Sequence, residues 1–398
     1  MEKELSSRIQ NLSESQTIAM SKKARELNEA GKNVISLSLG EPDFNTPDFI
    51  KDAAIEAIHS NFSKYTAVPG YKGLIDAIIT KFKRDNNLNY AANEIVASTG
   101  AKQSIVNAMM SLLNPGDEVI VPTPYWVSYV EMIKLAEGTP VFVEGSIEQD
   151  FKITPTQLEN SITPKSKIFI FSSPCNPSGS VYSESELEGL VTVFEKHPHI
   201  IVISDEIYEH INFEGHHCSI ATLGNMKERT VTVNGVSKAF AMTGWRLGYI
   251  GAPEWIASAC TKMQGQVTSG TCSITQKAAS AALLANPDVT HHMRDTFKNR
   301  RDFVFNALNN IPNVKCNKPG GAFYLFPDIS GFFGKRFNGN EIKTATDLSL
   351  FLLEEALVAT VTGEAFGADN CLRISYAASN QELETAMHSI TKALGQLA

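Results

Sequence analysis

The sequence predicts an α/β protein with a mostly parallel sheet between helices, joined to a smaller α+β domain. From about residue 90 to 250, short β-branched runs alternate with segments of helical periodicity, which is the pattern of repeated βαβ units. The runs are apolar throughout, as expected of strands buried on both faces. A chain of 398 residues is also longer than one ordinary core requires, so two domains fit its length.

Seven strands are predicted for the sheet of the large domain. Turn-favouring residues follow these runs, and the helices between them would cover both faces of the sheet. In chain order, the predicted strands span residues 94–98, 118–122, 140–145, 167–173, 200–204, 230–235 and 247–252.

Helix starts are predicted from capping signals. Thr154 is followed by a proline and then by Gln157, which favours a capping box with proline at the first helical position. Ser183 and Glu186 have the spacing of a second capping box. Thr46, also followed by proline, is expected to cap the first helix of the large domain in the same way.

The pattern changes after about residue 280. Long helical stretches now surround two short predicted strands, in GAFYLFP and LRISYA. We therefore expect a large domain at residues 47–285 and a small domain made of residues 1–46 and 286–398.

Composition excludes several classes of function. The net charge is −8, and basic stretches or Lys/Arg patches interleaved with aromatic residues are absent, so we expect no nucleic-acid partner. The sequence has neither an apolar run of about 18 residues nor a secretory signal in MEKELSSRIQ. We expect no membrane association and a cytoplasmic location, with small molecules as partners.

Cysteine and histidine spacing does not indicate a metal site. The six cysteines show no CxxC spacing, which favours free thiols over disulfides or zinc ligands. His210, His216 and His217 invite a metal interpretation, but no HExxH or CxxC motif accompanies them. We expect no metal.

Polar residues follow several predicted strands, at the edge where parallel α/β sheets bind ligands. Gly100, Ala101 and Lys102 open a helix with small side chains. Backbone amides at such a helix start bind phosphate. An ordinary turn between strand and helix would give the same pattern, so the segment alone leaves both interpretations open.

Lys238 stands out in the segment TVNGVSKAFAMTGWRLGY, residues 232–249. Its neighbours are mostly small or apolar, so its ammonium would be poorly hydrated and the amine pKa lowered. A lowered amine pKa is what a nucleophilic or Schiff-base lysine needs.

Together these residues predict a site for a phosphorylated pyridine aldehyde. Lys238 would form the Schiff base, and Asp205 would keep the ring nitrogen protonated. Five other residues would hold the cofactor: Trp126 by stacking on the ring, Tyr208 and Asn176 by hydrogen bonds to the ring hydroxyl oxygen, and Ser237 and Arg246 by binding the phosphate.

Seven motifs in this order closely resemble class I aminotransferases, specifically the bacterial aspartate aminotransferase branch of the fold-type-I pyridoxal-phosphate enzymes. The motifs are SLGEPDFNTP, YW, SSPCNPSG, SDEIYE, SKAFAMTGWRLGY, PGGAFY and LRISYA. The resemblance spans nearly the whole chain. It implies the fold-type-I transferase fold, pyridoxal 5′-phosphate as cofactor and ping-pong transamination between aspartate and 2-oxoglutarate, with Lys238 as the proton shuttle.

The resemblance also implies roles for residues outside the cofactor pocket. Arg373, in LRISYA, resembles the arginine that clamps the substrate α-carboxylate, and a surface ion pair is its alternative. Gly40 resembles the loop that closes over the substrate, and Trp126 and Asn176 would contact the substrate too. Tyr65 resembles a tyrosine that reaches the phosphate of the neighbouring subunit's cofactor, which implies a homodimer with shared active sites.

Substrate choice depends on a second cation for the distal carboxylate of a dicarboxylate. One branch of the family uses an arginine, but the matching segment, residues 264–276, has none. Lys102 and Thr17 match the lysine and threonine that serve in the other bacterial branch. Ser13 stands where a charged residue often accompanies prephenate activity, with Glu14 beside it.

Other functions stay open at this point. They are transamination of prephenate with glutamate or of aromatic amino acids or alanine, another reaction on the same cofactor such as β-elimination, and a non-catalytic cofactor-binding protein.

Overall fold

The computed structural model describes residues 4–14 and 16–398. Residues 1–3 and 15, which belong to the predicted small domain, lie outside the described residues, as does the start of the segment examined for a secretory signal. The strands are β1 Ile35–Ser36, β2 Ile95–Ser98, β3 Glu118–Thr123, β4 Thr139–Glu144, β5 Ser166–Ser172, β6 Ile201–Asp205, β7 Thr230–Gly235, β8 Gly248–Gly251, β9 Tyr324–Leu325, β10 Arg336–Phe337, β11 Asn340–Glu341, β12 Val358–Ala359, β13 Val361–Thr362 and β14 Leu372–Ser375.

Helices connect and cover these strands. The α-helices are α1 Ser7–Gln10, α2 Gln16–Glu29, α3 Asp48–His59, α4 Lys72–Asn86, α5 Ala101–Leu112, α6 Ser128–Leu135, α7 Pro155–Ser161, α8 Glu184–Lys196, α9 Glu254–Val267, α10 Ser273–Leu284, α11 His291–Asn309, α12 Ala345–Phe351 and α13 Asn380–Leu394. A π-helical segment, Leu352–Ala356, follows α12 directly.

Within the described residues, seven strands form the large sheet, in the order β2-β8-β7-β6-β5-β3-β4. Strand β8 runs antiparallel to both of its neighbours, and the other pairs are parallel. All seven predicted strands are present, with ends that differ by at most one residue. The predicted α/β fold class with a mostly parallel sheet is confirmed.

Both faces of the large sheet are buried along its other six strands, as the uninterrupted apolar runs predicted, whereas the edge strand β4 is largely exposed and includes Phe142 at 51%. In β3, Val119 and Val121 join the cluster that contains α5 and α9 side chains. Ile120 points the other way and joins the cluster that contains Leu187 and Leu190 of α8. Because successive side chains of a strand alternate between faces, a strand covered on both sides must be apolar at every position.

Smaller sheets contain strands from the chain's two ends. Strands β13, β14 and β9 form an antiparallel sheet. Strand β1 pairs in parallel with β12, so Ile35 lies opposite Val358. An apolar cluster that includes Phe297 of α11 and Leu383 of α13 packs with these strands. The amino-terminal segment is thereby joined to the carboxyl-terminal part of the chain.

Two of the three predicted helix caps are confirmed. Thr154 accepts a hydrogen bond from the Gln157 backbone, and Ser183 accepts one from the Glu186 backbone. The prediction for Thr46 is wrong, because Pro47 is the cap residue of α3 and makes no side-chain cap bond. The Thr46 hydroxyl instead donates to the Ala241 carbonyl at 2.7 Å.

The cysteine side chains are all free, as expected. In the described part of the chain, no helix has the length and apolar character that crossing a membrane requires.

Candidate active site

A cavity of about 270 Å³ lies where the parallel strands end, between the large sheet and the smaller sheets. Side chains that follow β3, β5, β6 and β7 converge here, because parallel strands end at the same edge of a sheet. Strand β14 and helix α2 close the opposite side. The predicted site residues that line the cavity are Thr17, Gly40, Ala101, Lys102, Trp126, Asn176, Asp205, Tyr208, Ser237, Lys238, Arg246 and Arg373.

Lys238 lies in the loop after β7 and points into this cavity. Its Nζ donates a hydrogen bond to the Gly40 carbonyl, and it lies 5.8 Å from the ring centres of both Tyr208 and Phe323. Burial, helped by Arg373, lowers the pKa of Lys238 to about 8, against the opposing effect of nearby carboxylates. The sequence-based expectation of a lowered amine pKa is confirmed.

Asp205 is the last residue of β6 and is 5% exposed. Its Oδ2 accepts a hydrogen bond from Tyr129 Oη at 2.7 Å, and its Oδ1 accepts one from the Ile207 amide at 3.3 Å. Burial raises the pKa of Asp205 to about 6, although Tyr129 and the Ile207 amide favour the anion. A buried acid and a buried amine therefore line the same small cavity.

Arg373 lies in β14 and is 2% exposed. It donates to Asn176 Oδ1 at 3.0 Å and to the Ser38 carbonyl at 2.6 Å, and its guanidinium lies 4.6 Å from the ring centre of Tyr324. Its Nε has no hydrogen-bond partner. None of the ion pairs among the described residues includes Arg373, so the alternative of a surface ion pair is wrong. Burial of an unpaired cation is costly, and this site therefore fits an anionic ligand.

A second cationic corner lies at the start of α5. Gly100 precedes this helix with φ of 88°, and a Cβ atom there would lie 2.5 Å from Arg246 Nη2. Arg246 itself has φ of 55°, a conformation that is uncommon for a non-glycine residue without a short polar side chain. Burial and the nearby Arg246 lower the pKa of Lys102. Two cations beside a helix N-terminus form a binding site for an anion such as phosphate.

Two tyrosines complete the site, although the sequence analysis gave them no role. Tyr129 contacts Asp205, and Tyr324 shares a hydrogen bond of 2.8 Å with the Tyr208 hydroxyl. A signal was available for each of them. Tyr129 follows Trp126 by about one helical turn, and Tyr324 belongs to the PGGAFY motif.

Two of the predicted site residues do not line the cavity. Gly100 is buried directly beside it, next to Arg246. Tyr65 lies elsewhere, and its side chain is 99% exposed. The fold of one chain therefore does not bring Tyr65 to the other predicted residues.

A buried ionic network lies behind the turn that follows β6. Glu206 lies 3.1 Å from His217, and Glu209 lies 3.2 Å from His210 and forms an ion pair with Lys81. Two of the three histidines considered as metal ligands thus have a carboxylate neighbour, and Lys81 already neutralises one of the acids. The absence of a metal stays a prediction.

Comparison with known proteins decides the family. Residues 32–390 match the family model of aminotransferase class I and II. The chain belongs to this family. As an aminotransferase, it is an enzyme whose substrates are amino acids and 2-oxo acids.

Relatives resemble this aminotransferase over nearly its full length. A protein from Petunia hybrida, named bifunctional aspartate aminotransferase and glutamate/aspartate-prephenate aminotransferase, is 47% identical over 395 residues, which cover 98% of this chain and 82% of the relative. The crystal structure of an aspartate aminotransferase from Rhizobium meliloti is 44% identical with a TM-score of 0.96, and the match covers 99% of this chain and 99% of that one. A Thermus thermophilus aspartate aminotransferase with maleate is 37% identical with a TM-score of 0.91, over 98% of this chain and 99% of that one.

Proposed function

We propose that this aminotransferase transfers the amino group of aspartate to 2-oxoglutarate with pyridoxal 5′-phosphate as its cofactor. The observation that carries the proposal is a single cavity lined by Lys238, Asp205 and Arg373. These are an amine with a lowered pKa, a buried acid and a buried cation without a carboxylate partner.

The residues present fit this cofactor. Pyridoxal phosphate supplies an aldehyde that bonds an amine and a protonated ring that withdraws electrons from the substrate Cα. Lys238 is the amine that would hold it, and Asp205 the anion that would face its ring nitrogen. Its remaining contacts would come from the anion site and the polar wall of the cavity: Gly100, Ala101, Lys102, Ser237 and Arg246 for the phosphate, Trp126 for the ring face, and Asn176 and Tyr208 for the ring hydroxyl.

Lys238 also moves the proton in this proposal. A general base works best when its pKa lies near the operating pH, and an amine with a pKa of about 8 meets that condition. The free amine reaches the Gly40 carbonyl, in the segment that is proposed to close over the substrate. Lys238 is therefore assigned both the covalent and the proton-transfer role.

Arg373 is assigned the substrate α-carboxylate, together with Asn176 and the Gly40 loop. A guanidinium forms two parallel hydrogen bonds with a carboxylate, and Arg373 is buried with only neutral oxygens as its hydrogen-bond partners among the described residues. Such a ligand would neutralise a cation that is only 2% exposed.

Lys102 and Thr17 are assigned the distal carboxylate of a dicarboxylate substrate. Lys102 Nζ lies 5.0 Å from the ring centre of Trp126, and the buried hydroxyl of Thr17 has no hydrogen-bond partner. Both line the cavity. A cation and a free hydroxyl beside the substrate favour aspartate over an uncharged amino acid.

A homodimer with shared active sites is part of the proposal. Tyr65 is 99% exposed, which is unusual for an aromatic side chain. Three apolar side chains are also at least half exposed: Ile55 and Ile58 of α3 and Val267 of α9. These side chains would pack against the second copy, where Tyr65 would reach the partner's cofactor phosphate.

The domain division follows the same proposal. The large sheet lies within the proposed domain of residues 47–285. The pairing of β1 with β12 supports joining residues 1–46 to residues 286–398. The cavity would then lie between the two domains.

A cytoplasmic location stays a prediction.

Absorbance of the purified protein with pyridoxal phosphate tests the cofactor and the reaction together. We expect a visible band that aspartate abolishes and 2-oxoglutarate restores, since ping-pong transfer leaves the cofactor aminated between the two half-reactions. The Lys238→Ala variant should lack the band of the lysine-bound form and the activity. Pyruvate release without an oxo-acid acceptor would instead indicate β-elimination, and an unchanged Lys238→Ala variant would contradict the proposal.

The same assay with different partners tests the substrate. Aspartate should exceed alanine and aromatic amino acids in kcat/KM as amino donor. Prephenate belongs among the acceptors tested, because the name of the Petunia relative includes it.

Shared sites are tested by mixing two inactive variants. A Lys238→Ala chain combined with a Tyr65→Ala chain gives hybrid dimers. If Tyr65 acts across the interface, one of the two sites in each hybrid has both native residues and activity returns. Activity that stays at the level of the separate variants would contradict sharing.

A further inference from the structure

We propose that Tyr129 is a positioning residue whose phenol fixes the Asp205 carboxylate in one orientation and keeps it in the anionic form. The inference rests on the proposed role of Asp205 as the partner of a protonated cofactor ring. It adds a residue to which neither the sequence motifs nor the proposed set of site residues gave a function.

The contact between the two side chains is short and buried. Tyr129 Oη donates to Asp205 Oδ2 at 2.7 Å, and Tyr129 is 1% exposed. Among the described residues, Tyr129 is the single side chain that donates a hydrogen bond to Asp205. The other donor is the Ile207 amide, at a longer 3.3 Å, to the opposite oxygen. Each carboxylate oxygen thus has one donor, which fixes the plane of the group.

The phenol is itself held in place. Tyr129 lies in the first turn of α6, and its ring meets the Trp126 ring edge-on, with centres 5.4 Å apart and planes at 90°. The Tyr129 amide donates to the Trp126 carbonyl at 2.9 Å. Trp126 lines the cavity in which the cofactor would bind. A phenol fixed in this way can orient Asp205, whereas a mobile one could not.

The charges around Asp205 explain why a donor is needed. Burial favours the neutral acid, and the adjacent Glu206 adds to this effect. Lys238 favours the anion, but it would lose its free ammonium on bonding the cofactor. Tyr208 and Cys175 also face Asp205, and burial raises the pKa of both, so neither supplies a charge at neutral pH. Tyr129 is therefore the neutral donor that stays beside Asp205 in every state of Lys238.

Removal of this donor has a predictable direction. A hydrogen bond to a charged group is worth enough to raise the pKa of Asp205 by about 1 to 2 when it is lost. From a starting value of about 6, Asp205 would then be largely protonated near pH 7. In the cofactor-bound enzyme, the more basic carboxylate would draw the proton away from the ring nitrogen.

The Tyr129→Phe variant tests this inference, with Tyr90→Phe as its matched control. Tyr90 is buried as well, but its hydroxyl bonds to Thr232 at 3.0 Å and does not contact Asp205. The first readout is a carbon-13 NMR titration of the Asp205 carboxyl in the full chain without cofactor. We expect Tyr129→Phe to raise this pKa by about 1 to 2 and Tyr90→Phe to leave it unchanged.

The second readout is the nitrogen-15 NMR signal of the ring nitrogen in enzyme loaded with labelled pyridoxal phosphate. Tyr129→Phe should shift this signal toward the unprotonated form and lower kcat about 10-fold or more, with little change in KM. Replacement of Tyr129 by 3-fluorotyrosine, a stronger donor of the same shape, should lower the Asp205 pKa and guards against a folding defect.

Failure of this inference is distinguishable from failure of the proposed function. A wild-type protein that forms no cofactor band would contradict the proposed function, while the Asp205 titration in the free chain still tests the contact. If Tyr129→Phe and 3-fluorotyrosine both leave the Asp205 pKa at its wild-type value, the proposed role of Tyr129 is wrong, whatever the effect on kcat.

Discussion

One methyl group added at Gly40 should destabilise the protein, and removal of one oxygen atom from Tyr324 should relieve the effect. A Cβ atom at Gly40 would lie 2.5 Å from Tyr324 Oη, whereas ordinary van der Waals contact begins at 3.4 Å. The two groups must therefore separate by about 0.9 Å in the Gly40→Ala variant. Backbone strain does not contribute, because Gly40 is not among the glycines with positive φ.

Tyr324 has little freedom to make that room. It is fully buried, with ring centres 4.8 Å from Phe323 and 5.9 Å from Tyr208, and Arg373 lies over its face. Overpacking of this kind costs about 1–3 kcal/mol. In the Tyr324→Phe variant the colliding atom is gone, and the next atom lies at 3.7 Å, which is ordinary contact.

Four proteins measure the coupling: the wild type, Gly40→Ala, Tyr324→Phe and the double variant. Urea unfolding should show that Gly40→Ala lowers the free energy of unfolding by about 1–3 kcal/mol in the wild-type background. Tyr324→Phe itself loses about 0.5–1.5 kcal/mol, because its hydrogen bond to Tyr208 is gone. In this background, Gly40→Ala should cost less than about 0.5 kcal/mol. Gly244→Ala is the control, since nothing lies within 4 Å of a Cβ atom there. Equal losses in both backgrounds would refute the reasoning.

Three further predictions concern the charged residues of the cavity. Arg373→Lys should lower kcat/KM about 10- to 150-fold, mainly through KM, because one of two charge-assisted bonds to the substrate carboxylate is lost. Arg301→Lys is the control, since Arg301 is buried but already pairs with an acid, and it should lower kcat/KM far less. A larger loss in Arg301→Lys than in Arg373→Lys, measured by steady-state kinetics, would contradict the assignment. Lys238→Met should make the cofactor-free protein more stable than wild type below pH 8, because the folded chain disfavours the charged amine. The difference in the free energy of unfolding should vanish as pH rises from about 8 to the ordinary lysine pKa of 10.5. A difference in urea unfolding that is constant over this range would show that the amine pKa is not lowered. Lys102→Gln should lower kcat/KM for aspartate about 10-fold or more beyond its effect on alanine, because the phosphate contact of Lys102 serves both donors. An equal loss for both donors would leave Lys102 with the phosphate role alone.

The sequence predicted the seven strands of the large sheet and the residues that follow them. Both predictions depend on local information. Apolar runs without alternation indicate strands buried on both faces, and the ends of parallel strands share one edge, so Asp205, Asn176 and Lys238 could be expected to meet. The Thr46 cap was predicted in the same local way and was wrong. The Thr46 hydroxyl accepts a hydrogen bond from the distant Trp245 indole and donates one to the distant Ala241 carbonyl.

Contacts between distant parts of the chain could not be predicted from local patterns. Tyr129 and Asp205 are 76 positions apart, and no spacing or periodicity connects them. Whether Arg373 has a carboxylate partner depends on all the side chains that pack around β14. The contact that an added Cβ atom at Gly40 would make depends on the position of Tyr324. The order of β8 between β2 and β7, likewise, depends on which strands pair and not on what each strand contains.

The sequence by itself thus determined the fold class, the edge of the sheet that carries the site and the chemical types of the residues there, because hydrophobic periodicity and strand polarity are written along the chain. Only the tertiary structure decided which partners those groups have and, Lys238 apart, how their pKa values shift. Desolvation and hydrogen bonding depend on the atoms that surround a group in space. At this site, most of those atoms belong to residues that are far apart in sequence.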